Sequence, residues 1–287
     1  MAENIKTTSV AWKQIADMWN VYFTPPSRIS AGEIEKYAEW LKQINPEKKP
    51  LNVLVLGATP ELRDILNGLG YKTTIIDINL EMILAMNSVL KTKNPDEIIV
   101  KANWLENPLQ DGYFDVVLGD AVLPNIPWKE REHLLSEVKR LLKPSGTFLT
   151  RSFCVPREKP FANIDELLEH FSGKKPTNKT SLEFVLELQI LAYDPKDHLG
   201  TFSKPKEIVE KLGGDKGFNF KSENLNKILE MTWNFWCKKF ANKVFVYAYR
   251  DEEERDYEKF FEIAETFESE DNPYSKITPM YVLKPKK

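Results

Sequence analysis

Between Leu51 and Phe153 the chain alternates short apolar runs, the first almost continuously aliphatic, with stretches whose apolar residues recur every three or four positions. The runs are LNVLVLG (51–57), KTTIIDI (72–78), EIIVKA (97–102), YFDVVLGD (113–120) and TFLTRSF (147–153). A strand with little polar alternation must be covered on both faces, which is the condition of a parallel sheet between helix layers. The intervening segments supply those helices. Leu62, Ile65, Leu66 and Leu69 share one face of a helix over 60–69 that Gly70 terminates, and a second helix runs from about Leu80 to Leu90. A third, over 128–142, carries Leu134, Leu135, Val138, Leu141 and Leu142, with Lys139, Arg140 and Lys143 at its dipole-complementary end. Strands alternating with helices of this length imply crossovers and a doubly wound, mostly parallel α/β sheet.

The flanks have a different rhythm. Val10, Ile15, Met18, Trp19 and Tyr22 follow helical spacing until Pro25 and Pro26, and Ser30 with Glu33 forms a capping box opening a helix to about Ile44. Residues 1–48 therefore read as a helical segment placed to serve as a lid, and 49–156 as the ligand-binding core. Residues 157–245 read as a mostly helical, aromatic-rich insertion after the fifth strand, a candidate substrate cover. Residues 246–287 return to the core, ending in a strand MYVLKPK (280–286). KVFVYAYR (243–250) fits either a strand or a helical lead, and the acidic run 251–259 fits a solvated helix face.

Forty basic against forty-three acidic residues give a formal charge of −3, which offers no electrostatic footprint for nucleic acid or an anionic membrane. Two cysteines, Cys154 and Cys237, and three scattered histidines supply neither a disulfide framework nor a zinc site, so no metal is expected. With no signal pattern at the N-terminus and no long apolar run, a cytoplasmic location is expected.

Ligands of a doubly wound sheet sit beyond the carboxyl ends of its strands. The first such loop is GATPE (57–61), where Gly57 permits a tight turn, Thr59 is placed as an N-cap and Pro60 suits the first helical position. Glu61 argues against a pyrophosphate on this helix terminus, and the second and third glycines of a dinucleotide fingerprint are missing. Asp77, at the end of the second strand and about 20 residues after Gly57, suits a ribose.

Taken in order, VLVLGATPEL, IIDIN, KANWLENPLQDGYFDVVLGDAVLPNIP and EVKRLLKPSGTFLTRSF resemble the motif series of class I S-adenosylmethionine-dependent methyltransferases. The resemblance implies a seven-stranded sheet with a reversed last strand, the tail from Ala264 to Lys286 supplying the closing hairpin, and S-adenosyl-L-methionine as cofactor. Carried over by position, Gly57, Ala58 and Thr59 would line the methionine portion and Asp77 would hold the ribose. Ile78 and Trp104 would meet adenine, with the Asn103 carbonyl accepting from the adenine amino group. Gly119 and Asp120 would border the methionine amino group and the methyl. Arg28, from the N-terminal segment, is a candidate partner for the cofactor carboxylate. Two departures stand out: Val55 replaces a common acid, and Thr59 and Glu61 replace loop glycines.

Because a sulfonium brings its own electrophile, methyl transfer requires positioning and water exclusion rather than a signature base, and no catalytic residue is assigned. Trp233, Phe235 and Trp236 fit either acceptor-pocket walls or plain core, and His133 and His198 fit exposed or structural roles. The leading function is methyl transfer to a small molecule. A non-catalytic S-adenosylmethionine-binding regulatory or interaction protein and a nicotinamide-dependent oxidoreductase on a similar fold are the alternatives.

Overall fold

The computed structural model describes residues 9–287, with side chains from Ala16 onward; the Val10 and Ile15 side chains lie outside that range. Helices α1 (Ser9–Tyr22) and α2 (Ala31–Ile44) lead into β1 (Asn52–Leu56), α3 (Pro60–Leu69), β2 (Lys72–Asp77), α4 (Leu80–Met86) and β3 (Ile98–Lys101). The core continues with β4 (Phe114–Asp120), α5 (Arg131–Leu141) and β5 (Leu142–Arg151). A cover follows, made of α6 (Ile164–Ser172), α7 (Asn178–Ala192), β6 (Leu199–Thr201), α8 (Ser203–Leu212), α9 (Glu223–Met231), a π-helical turn at Thr232–Cys237 and β7 (Val244–Val246). Helix α10 (Arg250–Glu258) and strands β8 (Phe261–Phe267) and β9 (Met280–Pro285) close the chain.

Seven strands form one sheet in the order β3-β2-β1-β4-β5-β9-β8, and β6 pairs with β7 in a separate ribbon. All pairings from β3 to β5 are parallel, while β9 runs antiparallel to both neighbours, the reversed last strand that the family resemblance implied. The central strands β1, β2, β4 and β5 are buried on both faces along most of their length, whereas the edge strands β3 and β8 are partly exposed. Val53 and Val55 pack with Tyr37, Trp40 and Leu62 on one side. Leu54 and Leu56 pack with Leu134, Leu135 and Val138 on the other. Each such side chain contributes about 1.5–3 kcal/mol by leaving water. The chain reverses direction of travel between β1 and β4, so the switch-point crevice opens above their carboxyl ends.

Several expectations need adjustment. The helix after β2 stops at Met86, and the one before β5 begins with a 3-10 turn at Trp128–Glu130. Residues 244–246 are a strand, paired with β6. The acidic run is not a purely solvated face: Glu253 and Tyr257 are each 1% exposed. Glu253 accepts from Arg131 Nη2 at 3.0 Å and from the Ser152 hydroxyl, anchoring α10 beneath β5. Among the described residues no helix is long and apolar enough to cross a membrane.

Candidate active site

At the end of β1, Gly57 adopts φ +96°, a left-handed conformation that a side chain would strain. A Cβ there would stand 3.6 Å from Cζ2 of Trp104 and 3.9 Å from Oδ2 of Asp77. Three residues far apart in sequence thus converge on one crevice. Trp104 is fixed by its indole N–H, which donates to the Ile76 carbonyl at 2.8 Å. Asp77 is 5% exposed, and its Oδ1 accepts from the Asn79 amide at 2.7 Å. Burial pushes the Asp77 carboxyl above the usual range, against the opposing pull of that amide and of Lys243. Lys243 reaches in from the cover and donates to Asn125 Oδ1 at 3.1 Å. Next to Asp77, Ile78 is 66% exposed, an apolar surface with an open face. Asn103 is exposed, but its Oδ1 already accepts from the Leu105 amide at 3.1 Å, so the carbonyl expected to face adenine is partly committed to its own turn.

The loop departs from the sequence reading at two positions. Thr59 occupies the N-cap of α3 but makes no side-chain capping bond. Glu61 is buried and serves the N-terminal segment: it accepts from Arg28 Nε at 2.8 Å and from Trp19 Nε1 at 3.2 Å. Arg28 thereby sits against the crevice loop, its second edge donating to Asn20 Oδ1 at 3.0 Å. Ala58, within the loop, is buried in the cluster that includes Tyr37 and Leu62.

At the end of β4, Gly119 is required by packing, since a Cβ there would lie 2.2 Å from Cγ2 of Val122. Asp120 accepts from Arg151 Nε at 2.7 Å. Arg151 is 1% exposed and also donates to Glu33 Oε2 at 3.2 Å and to the Arg28 carbonyl at 3.3 Å. Glu33 closes the capping box on the Ser30 amide at 2.7 Å and accepts from Asn272 at 3.0 Å. This buried network, which fastens α2 to the carboxyl ends of β4 and β5, was missed as a unit. Its signal was Arg151 itself, a charge in the apolar run TFLTRSF that has to be paired once buried.

Above β4 and β5 the cover presents an aromatic cluster in which Phe153 stacks on Tyr247 at 5.3 Å and Phe235 meets Trp236 edge-on at 4.7 Å. Tyr22, the last residue of α1, stacks on Phe235 at 4.0 Å, and Phe23 just beyond it packs against Trp236 at 5.6 Å. Trp233 belongs instead to the interior of the cover, its Nε1 donating to Asp215 at 2.9 Å. His198 stacks on Trp128 at 3.5 Å, whereas the His133 side chain is 46% exposed. Both cysteines are buried, and burial pushes their thiols up, that of Cys237 to about 12.

Residues 57–150 match the family model described as a methyltransferase domain. Over this span the chain carries a methyltransferase domain. It is 26% identical over 196 residues to the human eEF1A lysine and N-terminal methyltransferase, a match covering 65% of this chain and 28% of that protein. The CcbJ methyltransferase from Streptomyces caelestis shares the fold at a TM-score of 0.58 and 13% identity, covering 96% of this chain and 98% of that one. A Rhodobacter sphaeroides structure described as a putative Zn-dependent alcohol dehydrogenase reaches the same TM-score, 0.58, at 17% identity, covering 97% and 98%. Shape at these identities establishes the methyltransferase-like fold alone, so the chemistry rests on the domain's own motif series and crevice.

Proposed function

We propose that this chain transfers a methyl group from S-adenosylmethionine to a small-molecule acceptor by in-line displacement. The observation that carries the reading is the convergence of Gly57, Asp77 and Trp104 at the switch point. A glycine backbone open to close approach, a buried carboxylate and an indole suit the methionyl chain, ribose and adenine of a nucleoside without phosphates. When bound, the cofactor supplies the methyl already activated on a sulfonium, so the protein's part is placement and exclusion of water.

In this reading Gly57, Ala58 and Thr59 border the methionyl chain and Asp77 accepts from the ribose hydroxyls. Ile78 and Trp104 flank adenine, with Asn103 at its amino edge. Arg28, held at the loop by Glu61, offers its guanidinium to the cofactor carboxylate. Gly119 and Asp120 border the reacting end, where Asp120 Oδ1 is held in place by the bond from Arg151 Nε. A small acceptor is favoured by the aromatic cluster roofing β4 and β5 and by the −3 charge, which gives no basic track for nucleic acid.

Titration calorimetry with S-adenosylmethionine, S-adenosylhomocysteine and NAD tests the cofactor assignment. Saturable binding of both adenosyl ligands and none of NAD is expected. NAD binding without adenosyl-ligand binding would overturn it, and adenosyl binding without turnover on any acceptor would mark a non-catalytic protein.

A further inference from the structure

Helix α7 is buried nearly all round, yet it carries a glutamine in the middle of one apolar face. Leu182, Val185 and Leu186 of this helix, with Tyr193 just past its end, belong to the aromatic cluster above β4 and β5. At 100° per residue, position 189 falls at the centre of the arc they define. Gln189 is 3% exposed, and neither its Oε1 nor its Nε2 has a hydrogen-bond partner among the described residues. In the same cluster Trp236 is 2% exposed and its Nε1 is likewise unpartnered among the described residues. Trp236 lies in the π-helical turn, a local irregularity that frequently marks functional positions. An unpaired buried polar atom costs stability that an apolar residue of similar shape would recover. Here three such atoms, two donor groups and one acceptor, lie on elements packed around one aromatic cluster.

We infer that Gln189 and Trp236 read the methyl acceptor, and that this acceptor is a planar ring compound carrying a hydrogen-bond acceptor and donor at neighbouring positions, such as a catechol or a cyclic amide. The inference rests on the methyl-transfer reading above. The Trp236 N–H and the Gln189 amide N–H meet the acceptor's oxygen, and the Gln189 carbonyl takes its N–H or O–H, while Phe235 and Tyr247 supply faces for the ring. Partly buried Tyr22 and Phe23 pack against the same cluster at the end of α1. Such a pocket discriminates strongly, because a ring lacking the polar pair leaves the amide unpaired a second time.

The test uses the full chain with Gln189→Met and Trp236→Phe, which keep shape and remove the polar groups. With no ligand, Gln189→Met is expected to raise Tm by about 2–4 °C, the shift that recovering roughly 1 kcal/mol gives a domain of this size. S-adenosylhomocysteine affinity should stay within about twofold in both variants, as neither residue lies in the cofactor crevice. Methyl transfer to a probe set of catechol, 2-aminophenol and 2-pyridone should fall at least about tenfold in each variant, chiefly through KM. A lowered Tm in Gln189→Met would overturn the inference, since the amide would then be satisfied in the free protein. So would transfer to a lysine peptide that both variants leave intact, or failure of every ring probe to bind the S-adenosylhomocysteine-loaded wild type in ligand-observed NMR. Loss of S-adenosylhomocysteine binding by the wild type would instead sink the cofactor reading and is seen separately.

Discussion

Arg28 and Glu61, 33 residues apart, form an ion pair that ties the N-terminal segment to the first turn of α3, with Arg28 Nε 2.8 Å from Glu61 Oε1. The Arg28 guanidinium also lies over the Trp19 ring at 5.5 Å, so one contact holds α1, the loop before α2 and the crevice loop together. Removing Arg28 leaves a carboxylate that is 6% exposed with Trp19 as its named remaining donor. Arg28→Ala is expected to cost about 1–3 kcal/mol in urea denaturation. Adding Glu61→Gln should recover part of that loss, because a neutral amide tolerates the site better. Equal stability of the wild type and Arg28→Ala would show that the pair does not brace the segment.

Asp77 links cofactor affinity to pH. Its folded pKa is raised, first by burial, so its stabilising share is present at low pH and is lost as pH rises through the folded value. At neutral pH Asp77→Asn is therefore expected to leave the free protein at least as stable. It should weaken S-adenosylhomocysteine binding by about 1–3 kcal/mol, the worth of a hydrogen bond to a charged group. Ribose hydroxyls favour the ionised carboxylate, so wild-type affinity should fall as pH is lowered through the upshifted carboxylate range. Calorimetry at several pH values checks this, and a similar fall in Asp77→Asn would assign it to another group.

The Glu33–Arg151–Asp120 network should be the costliest ion pairing to break. Arg151→Met leaves two carboxylates facing each other, one of them fully buried, and is expected to destabilise by about 3–5 kcal/mol. The triple variant Arg151→Met, Glu33→Gln, Asp120→Asn should regain much of this in chemical denaturation. If the single variant costs as little as an exposed pair, the network is not structural.

Gly119→Ala tests whether that glycine serves packing. The added methyl would sit 2.2 Å from Val122 Cγ2, so overpacking of about 1–3 kcal/mol is expected. Val122→Ala in the same chain should relieve it. Persistence of the loss in the double variant would point to a backbone cause instead.

The layered sheet was legible in the sequence because burial on both faces writes itself as continuous apolar runs, and helical spacing marks the layers between them. Val53 through Leu56 show this directly, with alternate residues feeding opposite cores. Gly57 and Asp77 were legible too, since strand ends at a switch point have a fixed sequence rhythm. What only the tertiary structure decided is where charged and aromatic side chains find partners across long separations. Glu61 reads locally as a helix-dipole residue but pairs with Arg28. Asp120 reads as a cofactor neighbour but is matched by Arg151, and Glu253 leaves its solvated run for Arg131. Gln189 carries no periodic signal, and its significance comes from the apolar face in which α7 places it. Periodicity is a local property of the chain, whereas the partner of a buried polar group is set by which elements the fold brings together.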